Sequence, residues 1–457
     1  MRFEREKRSH QKAAALVVVL WISFGLVSLS IYFGHSMSLE LKSAANVEAG
    51  VQAEHTIDGA TRYLQYLLAN LPEQGRLPAN DLYVTDAVEV GEGFFWFTGR
   101  DPAGQQNQAT LNQIPYFDLI DESGKLNLNT AIYTNLIKLP FMTDELADAI
   151  VDWRDDDDDP EEAGAESDAY LRTDTPYYAK NDRFESIEEL RMLNGATEEL
   201  LYGEDTNQNG ILDPNEDDGA QTPPNDNGDG RLDFGIMEYV TVHSREGTVQ
   251  TNGEPRLILP ALAGNQGRQA ALTAIQEYFE ANIGEDTFNA LRADLNAATN
   301  LVDLYIRSEG NFDEFAQYDD ILALSTNSIE GLINVNTASA EVLYTLPGLE
   351  WDDAQSLVAY RQNNPGALTS VAWVTEVLED DIARQIGGRI TDKGFQYTAD
   401  ISAVGRNGRG YRRTKMVFDI SEGTPKIVYR REMSRAGWAL GVETRQALLE
   451  YVRQQQQ

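Results

Sequence analysis

The most constraining segment of this chain lies near its amino terminus. Arg2, Arg5, Lys7, Arg8 and Lys12 precede Ala13 to Phe33, a stretch without a single charged side chain. As a helix it would span roughly 31 Å, about one bilayer hydrocarbon core. A secretory signal starts in the same way, but its apolar region covers only about 7–15 residues. The length therefore predicts a retained anchor. Basic residues before it, and Glu40 as the first acidic residue after it, orient the terminus to the cytoplasm and the rest of the chain outside.

From Ser36 to about Leu71 there are few helix breakers, and apolar residues recur at helical spacing. The anchor is expected to run on into one helix, apolar in its first half and amphipathic in its second. Strand-like segments follow around Leu82 to Val90, Phe94 to Thr98 and Tyr116 to Ile120. A spine helix laid on a small sheet is the outline of a pilin.

An internal repeat comes next. Leu126 to Arg154 aligns without gaps on Ile333 to Arg361, sharing Asn127/Asn334, Asn129/Asn336, Thr130/Thr337, Ala131/Ala338, Leu136/Leu343, Leu139/Leu346, Pro140/Pro347, Ala147/Ala354 and Arg154/Arg361. Each copy reads as an extended lead-in, a helix opened by a Thr cap, a tight Leu-Pro hairpin and a second helix, that is, a helix-hairpin-helix unit. Ser186 and Glu189 form a capping-box pattern before Leu190, and Leu368 to Val374 stands in the corresponding place of the second copy. After it, GFQYTADISAV, YRRTKMVFDI and KIVYRREM alternate like antiparallel strands.

The fold class expected is α+β: a long N-terminal pilin-like spine helix with an antiparallel sheet, interrupted by a large, mostly helical insertion containing the two repeats. The boundaries read as leader 1–13, anchor and spine 14–71, sheet part 72–125, first repeat and acidic loop 126–202, cation loops 203–238, a strand and helical region 239–332, second repeat 333–390 and C-terminal strands 391–457.

The chain carries 74 acidic against 37 basic residues, a formal charge of −37, which opposes nucleic acid and favours metal cations. Asp205, Asn207, Asn209, Gly210, Asp213 and Glu216 fall at positions one, three, five, six, nine and twelve of an EF-hand loop, with Ile211 offering a backbone carbonyl. Hard oxygen donors at that spacing suit calcium. Asn225, Asn227, Asp229, Gly230 and Asp233 repeat the pattern, with Ile236 where a bidentate Glu belongs.

ALVVVLW, the Asn-x-Asn-Thr-Ala repeat, GAESDAYL, PYYAKNDRFESIEEL and INVNTA together resemble the general secretion pathway protein K family, the K-type minor pseudopilins of type II secretion, through nearly the whole chain. The resemblance implies an inner-membrane, single-pass protein with its bulk in the periplasm. It further implies a prepilin peptidase cut between Ala13 and Ala14, with Ala13 standing where the family has Gly. Val18, the fifth mature residue, occupies the place of the glutamate that most pilins carry and K-type subunits lack. The implied station is the pseudopilus tip, with I-type and J-type subunits as partners, other pseudopilins bundled along the spine, and a role in starting the fibre and limiting its length. Calcium near the GAESDAY segment is implied as well, on Glu166 and Asp168, with Asp159 and Glu162 as additional ligands; Ser167 is inserted relative to the family spacing.

The second copy, INVNTASAEVLYTLPGL, also resembles a unit of competence DNA receptors, whose hairpin amides hold a phosphate. That makes a membrane-anchored extracytoplasmic DNA-binding protein the alternative. Gly348 fits such a turn, but Phe141 replaces it in the first copy, and Glu350, Asp352 and Asp353 would repel phosphate. The four histidines, His10, His35, His55 and His243, are too scattered for a zinc site or a Ser/His triad. The expectation is an assembly protein with no catalytic residues.

Overall fold

A computed structural model describes residues 2–73, 75–76, 83–100, 115–250, 253–310, 312–325 and 327–455. Its first element is α1, Arg2–Ala69, one unbroken helix about 100 Å long at 1.5 Å per residue. Among the described residues nothing covers its apolar part: large apolar residues from Leu16 to Leu41 are exposed, Trp21 by 77%. From Ala49 onward Ala49, Ala53, Ile57, Ala60, Leu64 and Leu68 are buried, one every three or four residues, so one face packs and the rest meets solvent. Gly50 permits the close approach, since a Cβ there would lie 2.8 Å from the Arg412 guanidinium.

That face rests on an antiparallel sheet. Strands β1 (Val88–Val90), β2 (Gly93–Thr98) and β3 (Ile120–Asp121) come first. Residues 122–395 then leave the sheet and contain β4 (Leu126–Asn127), β5 (Val240–Thr241), β6 (Leu257–Ile258), β7 (Leu322–Ala323), β8 (Ile333–Asn334) and β9 (Ile390–Thr391), which pair in parallel as β4 with β5, β6 with β7 and β8 with β9. The chain returns as β10 (Gln396–Val404), β11 (Arg412–Asp419) and β12 (Lys426–Glu432). The sheet order is β1-β2-β10-β11-β12, with β3 also on β10. All nine residues of β10 are buried. Phe95, Phe97, Ala399, Ile401, Ala403, Met416 and Phe418 form the core beneath α1. The architecture is the expected α+β arrangement of spine helix and antiparallel sheet.

The insertion has one core of its own, and the two sequence repeats occupy it as matching units. Each unit holds a short helix, Tyr133–Leu136 or Ala340–Tyr344, a tight turn and a longer helix, Asp144–Arg154 or Trp351–Asn363. The shared residues make shared bonds. The Asn127 and Asn334 side chains accept from the amides of Asn129 and Asn336. Arg154 donates to the carbonyls of Leu128 and Ala131, and Arg361 to those of Val335 and Ala338, the same positions of each copy. The units also touch: Asn135 donates to Thr345 O at 2.8 Å, and Lys138 Nζ donates to the carbonyls of Tyr344, Leu346 and Leu349.

Several local expectations change. Thr130 and Thr337 do not cap helices; their hydroxyls reach Asn127 O and Asp121 Oδ2, while the helices begin after Ile132 and Ser339. The Asn-x-Asn-Thr turn takes those hydroxyls first. In the expected helical region, helix Glu285–Ala297 ends at Ala298, and Asn300 caps a separate helix, Leu301–Ser308, by accepting from Asp303 N. The C-terminal region is strands followed by a helix, Gly441–Gln455. Leu82, the start of one expected strand, lies outside the described residues, and that strand begins at Val88. Ser186 and Glu189 do form a capping box, on a 3-10 turn, Ile187–Met192.

Candidate metal centres

The first acidic site grows from the end of helix Asp144–Arg154. Its inward face carries Leu146, Ala149, Ile150 and Trp153, and also Asp148 and Asp152. The chain beyond it turns back because these carboxylates accept main-chain amides, Ala163 N on Asp148 at 3.0 Å and Glu161 N on Asp152 at 3.1 Å. The return brings Glu166 to Asp152 and Asp155, with one oxygen of each within 4.8 Å of the others.

Asp152 is 0% and Glu166 4% exposed, yet among the described residues Asp152 Oδ2, Asp155 Oδ1 and both Glu166 oxygens have no hydrogen-bond partner. Burial, reinforced by the charges of Asp152 and Asp155, pushes the Glu166 carboxyl up to about 7, and burial raises Asp152 and Asp155 as well. Gly164 keeps the space open, since a Cβ there would lie 1.9 Å from Asp152 Oδ2. Three crowded carboxylates, each with at least one oxygen lacking a partner, oppose one another, and a hard divalent cation reverses that cost. The donor set fits calcium.

Of the four ligands expected for this loop, Glu166 alone joins the cluster. Asp159 and Glu162 are exposed, and Asp168 is turned outward to pair with Arg172 at 3.7 Å. Sequence reading missed Asp152 and Asp155. The signal for Asp152 was a charge set among the apolar residues of AIVDW.

The loop from Asp205 to Glu216 is folded inward. Asp205, Asn207, Asn209 and Glu216 are buried. Asp205 accepts from the amides of Asn209 and Gly210, and Glu216 from those of Thr206 and Asp213. The Asn207 and Asn209 amides donate to Asp213 Oδ2 at 2.7 and 2.9 Å. The Ile211 amide donates to Asn209 Oδ1. Burial, with repulsion from Asp205 next, raises the Glu216 carboxyl to about 8.

The following loop is open to solvent. Asn225, Asn227 and Asp229 are exposed and Asp233 is half-buried. Asn227 donates to Asp233 Oδ2 at 2.9 Å, as its counterpart does in the first loop. Ile236, at the place of the terminal Glu, is fully buried in the core. Glu204, unnoticed in the sequence, reaches in instead and accepts from the amides of Asn227 and Asp233.

Residues 118–202 and 333–386 match two family models described as type II secretion system (T2SS), protein K; these regions hold the two repeats and the Asp152 cluster. The chain is 27% identical over 190 residues to the type II secretion system protein K of Klebsiella pneumoniae, covering 40% of this chain and 57% of that one. It is 25% identical over 208 residues to that of Pectobacterium carotovorum subsp. carotovorum, covering 42% and 61%. It thus spans less than two thirds of either relative. A crystal structure of the GspK-GspI-GspJ complex from the enterotoxigenic Escherichia coli type 2 secretion system aligns at a TM-score of 0.35 and 11% identity, over 87% of this chain and 96% of that one. On the two matched regions and these relatives, the chain is similar to protein K of the type II secretion system over part of its length.

Proposed function

We propose that this chain is a membrane-anchored minor pseudopilin standing at the tip of a type II secretion pseudopilus beside I-type and J-type subunits, helping to start the fibre and limit its length. The observation that carries the reading is α1 with its load. One half of the helix is bare and apolar over a bilayer's length, the other half is packed on a sheet, and residues 122–395 form a second body on that sheet. A subunit repeated along a shaft needs the helix and a compact sheet; the added body suits a position with no subunit above it. Val18 in place of an acidic residue agrees, since a buried glutamate in an apolar bundle is costly without a neighbour to neutralise it.

In this reading the amino terminus lies in the cytoplasm, a prepilin peptidase removes residues up to Ala13 and leaves Ala14 first, and the body works in the periplasm by assembly and not by catalysis. Calcium on Asp152, Asp155 and Glu166 would hold the loop from Asp155 to Glu166 against the first repeat. The test is co-purification of the full chain from membranes with I-type and J-type pseudopilins, in calcium or chelator. Recovery of both partners is expected, with Gly164→Ala lowering the yield in calcium to that in chelator. Recovery of neither partner in either condition overturns the reading.

A further inference from the structure

The loop from Asp205 to Glu216 lies between the insertion and the sheet, and one observation sets it apart from ordinary acidic surface. Asn207 is 8% exposed, its side-chain oxygen has no hydrogen-bond partner, and its amide sits against Asp213 inside the loop. The outer side of the same turn is held by the sheet. Arg413 of β11, 0% exposed, pairs with Asp400 of β10 at 2.5 Å. Its remaining donors go to the loop's main chain, Nη1 to Asn207 O at 2.5 Å and Nη2 to Gln208 O at 2.8 Å. Arg100, just beyond β2, reaches Asp205 at 3.4 Å and Glu238 at 2.8 Å.

We propose that this loop is a divalent-cation site of the calcium class, and that filling it fastens the insertion to the sheet through Arg413. Asp205, Asp213 and Glu216 supply charged oxygens, and Asn207 and Asn209 neutral ones once their amides turn their oxygens inward. Ile211 contributes a carbonyl. A cation drawing these groups together fixes the turn at 207–208, and with it the two carbonyls that Arg413 requires. When the site empties, three acidic groups repel across the loop, the turn loosens, and a buried guanidinium loses two of its acceptors. The inference depends neither on the pseudopilin reading nor on the Asp152 cluster.

The experiment uses the full chain in detergent with calcium chloride as the probe. Calorimetry on Glu216→Gln should lose one binding event that Gly164→Ala retains. Asn207→Asp, which puts a charged oxygen in place of the amide nitrogen that faces Asp213, should tighten that event by about tenfold, because loop affinity follows ligand charge; this gain does not rely on a damaged variant. Hydrogen exchange should slow in calcium at both the 205–216 loop and Arg412–Asp419, and Glu216→Gln should abolish both effects. Unchanged stoichiometry in Glu216→Gln together with unchanged affinity in Asn207→Asp overturns the site. Protection of the loop without protection of β11 overturns the fastening.

Discussion

Arg361→Met tests whether the repeats are held by their shared arginine. Arg361 is 4% exposed, and Nη1 donates to Val335 O at 3.0 Å and to Ala338 O at 2.6 Å. Methionine keeps much of the stem but none of the donors. Each carbonyl left without a partner in a buried place costs about 1–3 kcal/mol. Removing a buried guanidinium also relieves its own desolvation, which offsets part of that sum. The expected loss is therefore about 2–4 kcal/mol. Arg154→Met removes the equivalent donors from a half-buried site that water can reach, so about 1 kcal/mol is expected there. Urea unfolding of the full chain in detergent gives the totals, and hydrogen exchange of residues 333–346 locates the damage. An Arg361→Met chain within about 0.5 kcal/mol of the parent, or a larger cost at Arg154, would refute the assignment of the arginine as the clamp of each unit.

Two further outcomes follow from single residues. Burial opposes ionisation of Glu122, but Lys125, His243 and the hydroxyls of Thr241 and Thr398 outweigh it and hold its carboxyl at about 2. A folded value below the ordinary 4.5 stabilises at pH above that value and is lost as pH falls toward 2, so the parent should lose up to about 3 kcal/mol more than Glu122→Gln across that window in acid unfolding; parallel curves would contradict this. Phe141 has φ 58° and is 53% exposed, at the turn position where the second unit has Gly348 with φ 82°. Phe141→Gly should therefore raise stability by about 0.5–1 kcal/mol in denaturant titration, whereas a loss would mean that the ring is packed on something.

The repeat was legible in sequence because a constant offset keeps its paired asparagine and arginine contacts, although the Thr caps read from it were not formed. Asn127 and Asn334, Arg154 and Arg361, and the turn at Phe141 and Gly348 all serve the same place in each unit. The spine was legible for a different reason, since a long uncharged stretch followed by period-four burial admits few other structures. Carboxylates joined across a fold-back were not. Asp152 and Asp155 meet Glu166 only because the intervening loop bonds back onto Asp148 and Asp152, and an acidic run offers many equally spaced alternatives. Glu204 was missed because it enters the second loop from ahead of the first, where no local spacing points to it. The C-terminal helix was missed as well, since the reading stopped with the last alternating segment, before RQALLEYV.

The place of β10 in the chain has a consequence for biogenesis. It is the middle strand, flanked by β2 and β11 and touched by β3, yet it follows every residue of the insertion. While the polypeptide emerges, the β1-β2 hairpin and the buried face of α1 have no sheet to complete them, and Phe95 and Phe97 have only α1, through Tyr63, against them until residues 396–404 arrive. A product ending anywhere before that strand keeps the apolar helix α1 and lacks most of the platform it packs on. Completion of the sheet thus waits for residues 396–457, and a truncated chain presents quality-control proteases with an apolar hairpin that a finished one conceals.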